Sequence, residues 1–270
     1  MNLKQISSAV AAVALLAASS VSASAATVLD GWQLVTPKGT TIDIGRLNLS
    51  GGIATVYQEI DANNQAFVGS RFSESGQIFA LGFQTEDTPG AGDGSDPANT
   101  PDSLKLKFSN VRGTVTQLNV GGGFHYTFDS GSFVLSGLSG NYASGSIIGL
   151  GGNASSTAVI GGFNGDSTIL SQISTILNAA FDMRDNMGVS LKPELASGNV
   201  LFEAVTNNNL TNVLGIAPCD FDTSKRCAVL RVASGGDAYL VRQVPEPGTL
   251  ALTGFALLGL GMARRRRQVK

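Results

Sequence analysis

The chain has 270 residues, 43% of them hydrophobic, 14% charged and 34 of them glycine. That composition supports a sizeable core and excludes wholesale disorder. The formal net charge of −2 is unevenly spread: setting aside Lys4 and the last 26 residues leaves 12 bases against 19 acids. A middle near −7 excludes a nucleic-acid or anionic-lipid surface, because both partners demand positive charge.

The chain opens with Lys4, an apolar stretch from Val10 to Leu16, and small residues at Ala23-Ser24-Ala25. A basic start, a short hydrophobic run and small residues two apart are the parts of a secretory signal peptide. Ala23 and Ala25 occupy the cleavage positions. The cut is expected after Ala25, with Ala26 as the alternative, so residues 1–25 are expected to be removed by signal peptidase and 26–244 exported as one domain.

Low charge with much Gly, Ser, Thr, Val and Asn favours strands and turns. In SLKLKF, Leu104, Leu106 and Phe108 share one face. Phe124, Tyr126 and Phe128 do the same in GFHYTF, as do Phe133 and Leu135 in GSFVLSGL. Alternation of this kind marks half-buried strands. Gly121-Gly122-Gly123 and Asp129-Ser130-Gly131 are predicted turns, making an antiparallel meander over 104–150.

Leu170, Ile173, Ile176, Leu177, Ala180 and Phe181 recur at steps of three and four. That spacing predicts an amphipathic helix starting at Ser167 or Thr168 and ending at Gly188. Farther on, GNVLFEAV, CAVLRVA and AYLVRQV read as strands, with Ser234–Asp237 (SGGD) as the turn of a last hairpin. The expected architecture is mainly β: an antiparallel β-sandwich or jelly-roll-like fold with one packed helix.

Cys219 and Cys227 are the only cysteines. In an oxidising compartment so close a pair is expected to form a disulfide. Catalytic signatures are scarce: no G-x-S-x-G, no H-E-x-x-H and no phosphate-binding glycine loop occurs. The single histidine, His125, alternates with Phe124 and Tyr126 and so points away from their face. The chain is therefore expected not to be an enzyme, and no cofactor is implied. One cation alternative exists: Glu86, Asp87, Asp93, Asp96 and Asp102 could gather around calcium, although three prolines in that stretch suit a plain exposed loop. Trp32 or Tyr142 could stack on sugars in a carbohydrate-binding module. A secreted hydrolase is the third option, since a glycosidase needs only two carboxylates.

The C-terminus carries Pro245-Glu246-Pro247, an uncharged apolar run from Gly248 to Ala263, and Arg264-Arg265-Arg266-Arg267. Sixteen apolar residues fall short of the ~20 a full span wants, and an arginine cluster stays cytoplasmic as a stop-transfer signal. The two prolines exclude a helix interior and hold the outer flank extended. These residues, 245–270, resemble the PEP-CTERM sorting signal of exported proteins of Gram-negative bacteria. The resemblance implies recognition and processing by an exosortase, transient residence in the inner membrane, release to the cell surface, and association with exopolysaccharide, biofilm or floc formation. A removed hydrophobic tail parallels the logic of GPI signals. Residues 56–84 are also similar to flocculation-associated PEP-CTERM proteins through Val68, Phe72, Glu74 and Gly76. That second resemblance implies no functional residue.

Overall fold

Alternation governs the structure, a computed structural model that describes residues 25–84, 102–156 and 164–244. The chain divides into two units, Val28–Arg242 and residues 1–27 with 243–270. Of the second unit only residues 25–27 and 243–244 are described, both as strand.

The strands are β1 (Ala25–Val28), β2 (Trp32–Thr36), β3 (Gly39–Ile44), β4 (Arg46–Glu59), β5 (Arg71–Gln84), β6 (Leu104–Leu118) and β7 (Phe124–Gly137). Then come β8 (Gly140–Gly149), β9 (Gly151–Ala154), β10 (Asn164–Ile176), β11 (Asp182–Arg184), helix α1 (Lys192–Ser197), β12 (Val200–Cys219) and β13 (Asp222–Val244). Each of β4, β5, β6, β7, β8, β10, β12 and β13 pairs antiparallel with the next, and β13 returns to pair with β4 from Cys227↔Glu59 to Ala238↔Leu47. The sheet is thus closed on itself. β9 prolongs β8 past Leu150, whose φ of 68° breaks the strand locally. The result is an eight-stranded up-and-down barrel without the crossovers of a jelly roll.

Closure explains which residues face where. In β6, Leu104, Val111, Gly113 and Val115 are buried, while Lys107, Arg112 and Thr116 between them are exposed. In β7, Phe124, Phe128 and Phe133 point in, and His125, Thr127 and Asp129 point out. In these two strands the apolar residues face mainly inward and the polar ones outward. Among the described residues no helix is long and apolar enough to cross a membrane. The predicted span at 248–263 lies outside those residues.

The largest core cluster fills one barrel end. There β2, β3 and β11 form a separate three-stranded sheet. Trp32, Ile44 and Met183 from that sheet, Leu195 from α1, and the flanking Phe181 and Leu191 pack in the same cluster as the barrel residues Leu47, Leu104 and Leu240. The opposite end is closed by Ile60, Ala66, Phe124, Ala154 and Ala228. Apolar side chains therefore plug both mouths.

Three sequence expectations are corrected. The segment predicted as a helix from 167 is strand β10 followed by β11. The three-and-four spacing there coexists with a period of two: Gly165, Ser167, Ser171 and Ile173 are buried on one face. Thr168, Ile169, Ile173, Thr175 and Ile176 are β-branched and suit a strand. Partners on both edges, β8 and β12, supply backbone bonds that a helix would forgo. The only helix among the described residues is the short α1, ended by Gly198 in the left-handed conformation.

Asp129-Ser130-Gly131 is not a turn but an irregularity within β7, opposite a register shift in β6. Ser234–Asp237 is likewise no hairpin: β13 runs straight through, shifting register between Ser234 and Gly236. Gly236 has a φ of 145°, and a Cβ there would lie 2.0 Å from the Val205 carbonyl oxygen. Glycine at this position lets β13 pass close to β12 instead of turning back. The true last hairpin is the β12–β13 turn, where Cys219 and Cys227 are joined by a disulfide with Cα atoms 5.0 Å apart.

Candidate functional site

Eight strands enclose a space that side chains can just fill, or that can hold one small ligand. Here the filling is incomplete. Two cavities of about 40 Å3 each remain in the lumen, and both are bordered by Glu74 and Asn208. A volume of that size admits a few waters at ~10–15 Å3 each.

Glu74 sits mid-strand in β5, opposite Val56 of β4 and Val111 of β6. Its phase is that of Phe72 and Ile78, both buried, so the carboxyl projects into the lumen with the apolar side chains. Among the described residues it makes no hydrogen bond or ion pair. Burial alone pushes its pKa up to about 7, as expected of a carboxylate stripped of water with no countercharge.

Opposite it runs a polar chain. The Tyr126 hydroxyl and Ser167 Oγ are 2.6 Å apart. Asn208 Nδ2 donates to Ser167 Oγ at 2.6 Å, and Ser234 Oγ donates to Asn208 Oδ1 at 2.7 Å. These four residues come from β7, β10, β12 and β13, so the chain ties β7 to the three staves that follow β8. Burial is the main cause pushing the Tyr126 pKa up to about 12, with the nearby charge of Glu74 adding to it. The phenol is therefore a permanent hydrogen-bonding group at any working pH.

Aromatic rings flank the carboxyl. Phe72 meets Tyr126 edge-on at 5.3 Å between centroids and Phe128 at 5.8 Å, while Phe124 and Tyr126 are 6.0 Å apart. Gln58, at the first cavity, donates to Ser70 Oγ at 3.1 Å and to the Glu59 carbonyl at 3.0 Å.

The residues singled out from sequence are dispersed. His125 lies on the outer wall, exposed. Trp32 and Tyr142 are fully buried in the core, so neither offers a platform to a sugar. Among the described residues Trp32 Nε1 has no hydrogen-bond partner. Asp102, from the calcium alternative, is also buried: it accepts bonds from the Tyr142 hydroxyl and from Leu138 N, the latter at 2.8 Å. Glu86, Asp87, Asp93 and Asp96 lie outside the described residues, as do Ala23, Pro245, Glu246, Pro247 and Arg264–Arg267. Ala25 begins β1. Among the described residues no group of three or more acidic, histidine or cysteine side chains could hold a metal ion.

Comparison with known proteins adds one finding at the C-terminus: residues 243–267 match the PEP-CTERM protein-sorting motif. The chain carries a PEP-CTERM sorting motif. The motif marks it as an exported exosortase substrate, anchored transiently in a membrane before release at the cell surface. The match begins at Gln243, within the last residues of β13. No curated protein and no solved structure matches the chain.

Sequence reasoning passed over Glu74 as a lumen group. The signal was present: in Phe72-Ser73-Glu74-Ser75-Gly76-Gln77-Ile78 the acid falls in phase with the apolar residues, not with the polar ones.

Proposed function

We propose that this protein is a non-enzymatic component of the cell surface or extracellular matrix, delivered by exosortase processing and associated with exopolysaccharide, biofilm or floc formation. The sorting motif at 243–267 carries the reading. Signal peptidase removes 1–25, the inner membrane of a Gram-negative cell holds the tail briefly, and exosortase releases the barrel domain. The barrel suits such a life: β6 and β7 turn polar side chains outward, apolar clusters fill both ends, and a disulfide closes its last hairpin.

Glycoside hydrolysis needs a pair of carboxyl groups, and Glu74 is the only one among the residues lining the lumen cavities. Burial of Trp32 and Tyr142 removes the aromatic platform on which a carbohydrate-binding reading depended.

Two experiments test the proposal. Deletion of Pro245–Pro247 is expected to leave the chain unprocessed and membrane-bound; unchanged tail removal and surface delivery would end the sorting reading. Disruption of the gene is expected to alter matrix composition or aggregation, and a mutant with wild-type biofilm, floc and exopolysaccharide would end the matrix reading.

A further inference from the structure

Glu74 stands in the barrel lumen without the partner that its chemistry requires. A buried carboxylate is tolerated when it is ion-paired or multiply hydrogen-bonded. None of the residues lining either cavity is basic. The polar groups nearest to it are engaged elsewhere: Tyr126, Ser167, Asn208 and Ser234 bond one another, and Gln58 bonds Ser70 and the Glu59 carbonyl. The missing element is a positive charge, and the space to hold it lies on both sides of the carboxyl.

The surroundings specify what kind of cation fits. The first cavity is walled mainly by Val56, Phe72, Phe124, Tyr126 and Val232, with the amides of Gln58 and Asn208 at its edge, so it offers aromatic and aliphatic surface but no ring of oxygen ligands. A metal ion would find one carboxylate and a few neutral oxygens, most of them already hydrogen-bonded to one another, a poor substitute for six or more free oxygen ligands. An ammonium group next to aromatic rings gains both ion pairing and cation–π attraction. The body attached to it must be short and apolar, because the cavities are small and their walls hydrophobic. Sugars, with many hydroxyls, would leave most of those hydroxyls without partners here. Anions would meet the carboxylate.

We propose that the barrel lumen is a binding site for a small primary alkylammonium ion, its charged head on the Glu74 carboxylate and its apolar body against Val56, Phe124 and Val232. The site is independent of how the chain is sorted or what matrix it joins.

The test uses the full chain with n-butylammonium chloride as the probe, at pH 8, with sodium chloride, sodium butyrate and n-butanol at equal concentration. The expected result is a saturable rise in melting temperature with butylammonium alone. Binding is expected to weaken at least tenfold at pH 5, where Glu74 is protonated. Glu74→Gln keeps the shape and removes the charge; it is expected to fold and to lose the response. The proposal fails if butanol stabilises as well as butylammonium, which would mean simple cavity filling. It also fails if sodium does so, if Glu74→Gln responds like the unaltered chain, or if no ligand gives a saturable shift. The pH and isostere comparisons on the unaltered chain decide the matter even if the variant does not fold.

Discussion

The Tyr142 hydroxyl donates to the Asp102 carboxylate inside the core, forty residues apart in sequence. Leu138 N adds a second donor to the same carboxylate at 2.8 Å, and the Tyr142 ring stacks on Phe181 at 5.3 Å. The pair thus joins the start of β6, the β7–β8 turn and the plug that closes that barrel end. Removing the hydroxyl leaves a buried carboxylate with one donor fewer. Tyr142→Phe is expected to cost about 2–3 kcal/mol, the range for hydrogen bonds to charged groups. Asp102→Asn is expected to cost less, and the double variant less than the sum, giving a positive coupling in a urea-unfolding cycle. Strict additivity would show that the bond contributes nothing.

Glu74 makes stability depend on pH in an unusual direction. Its folded pKa is raised from 4.5 to about 7, so the folded state holds the proton more tightly than the unfolded chain. Below pH 4.5 both states are protonated and the group costs nothing. Between 4.5 and 7 the folded state binds more protons, and stability falls as pH rises. The full loss is about 3 kcal/mol, at 1.36 kcal/mol per pKa unit. Glu74→Gln is expected to flatten this part of the urea midpoint against pH and to be the more stable chain at pH 8. An unchanged slope in the variant would assign the pH dependence to other groups.

Gly235 and Gly236 separate two readings of the last strand. As neighbours in a hairpin turn they would respond alike to substitution. In the barrel a Cβ on Gly235 meets its nearest atom at 3.4 Å, whereas one on Gly236 would strike the Val205 carbonyl at 2.0 Å in a backbone with φ of 145°. Gly235→Ala is expected to be nearly neutral. Gly236→Ala is expected to cost about 2–3 kcal/mol through overpacking and backbone strain. Thermal unfolding of the two variants side by side checks this.

Individual strands were legible because period two is a local signal. Leu104, Leu106 and Phe108 announced β6, and Phe124, Tyr126 and Phe128 announced β7. What glycine does inside a strand was not legible. Ser234–Asp237 and Asp129–Gly131 have turn composition, yet in a closed sheet the same residues serve as bulges and close approaches, a distinction that rests on neighbours far away in sequence. Ile173 and Ile176 fit both periods, and the choice of strand was made by β8 and β12. Closure itself, β4 against β13, links the two ends of the domain and leaves no local mark. The lumen group was half visible: Glu74 out of character in an apolar phase could be seen, but not that Asn208 and Ser167 would face it.

The disulfide between Cys219 and Cys227 spans eight residues in sequence and pins the hairpin between the two longest strands. That hairpin also holds Asp220, which accepts a bond from Ser73 of β5, and Lys225, whose Nζ is 3.2 Å from Glu59 of β4. Cross-linking here limits the freedom of the unfolded chain and keeps β13 in register with both of its neighbours. For so short a loop the chain-entropy model gives about 2–3 kcal/mol. Reduction, or replacement of both cysteines by serine, is expected to lower the urea midpoint accordingly. Hydrogen exchange is expected to rise first at 217–228 and at the end of β4. The barrel is expected to survive at 25 °C, because its closure rests on the full length of the β4–β13 ladder. Loss of the whole barrel on reduction would mean that the cross-link, not the ladder, holds the sheet shut.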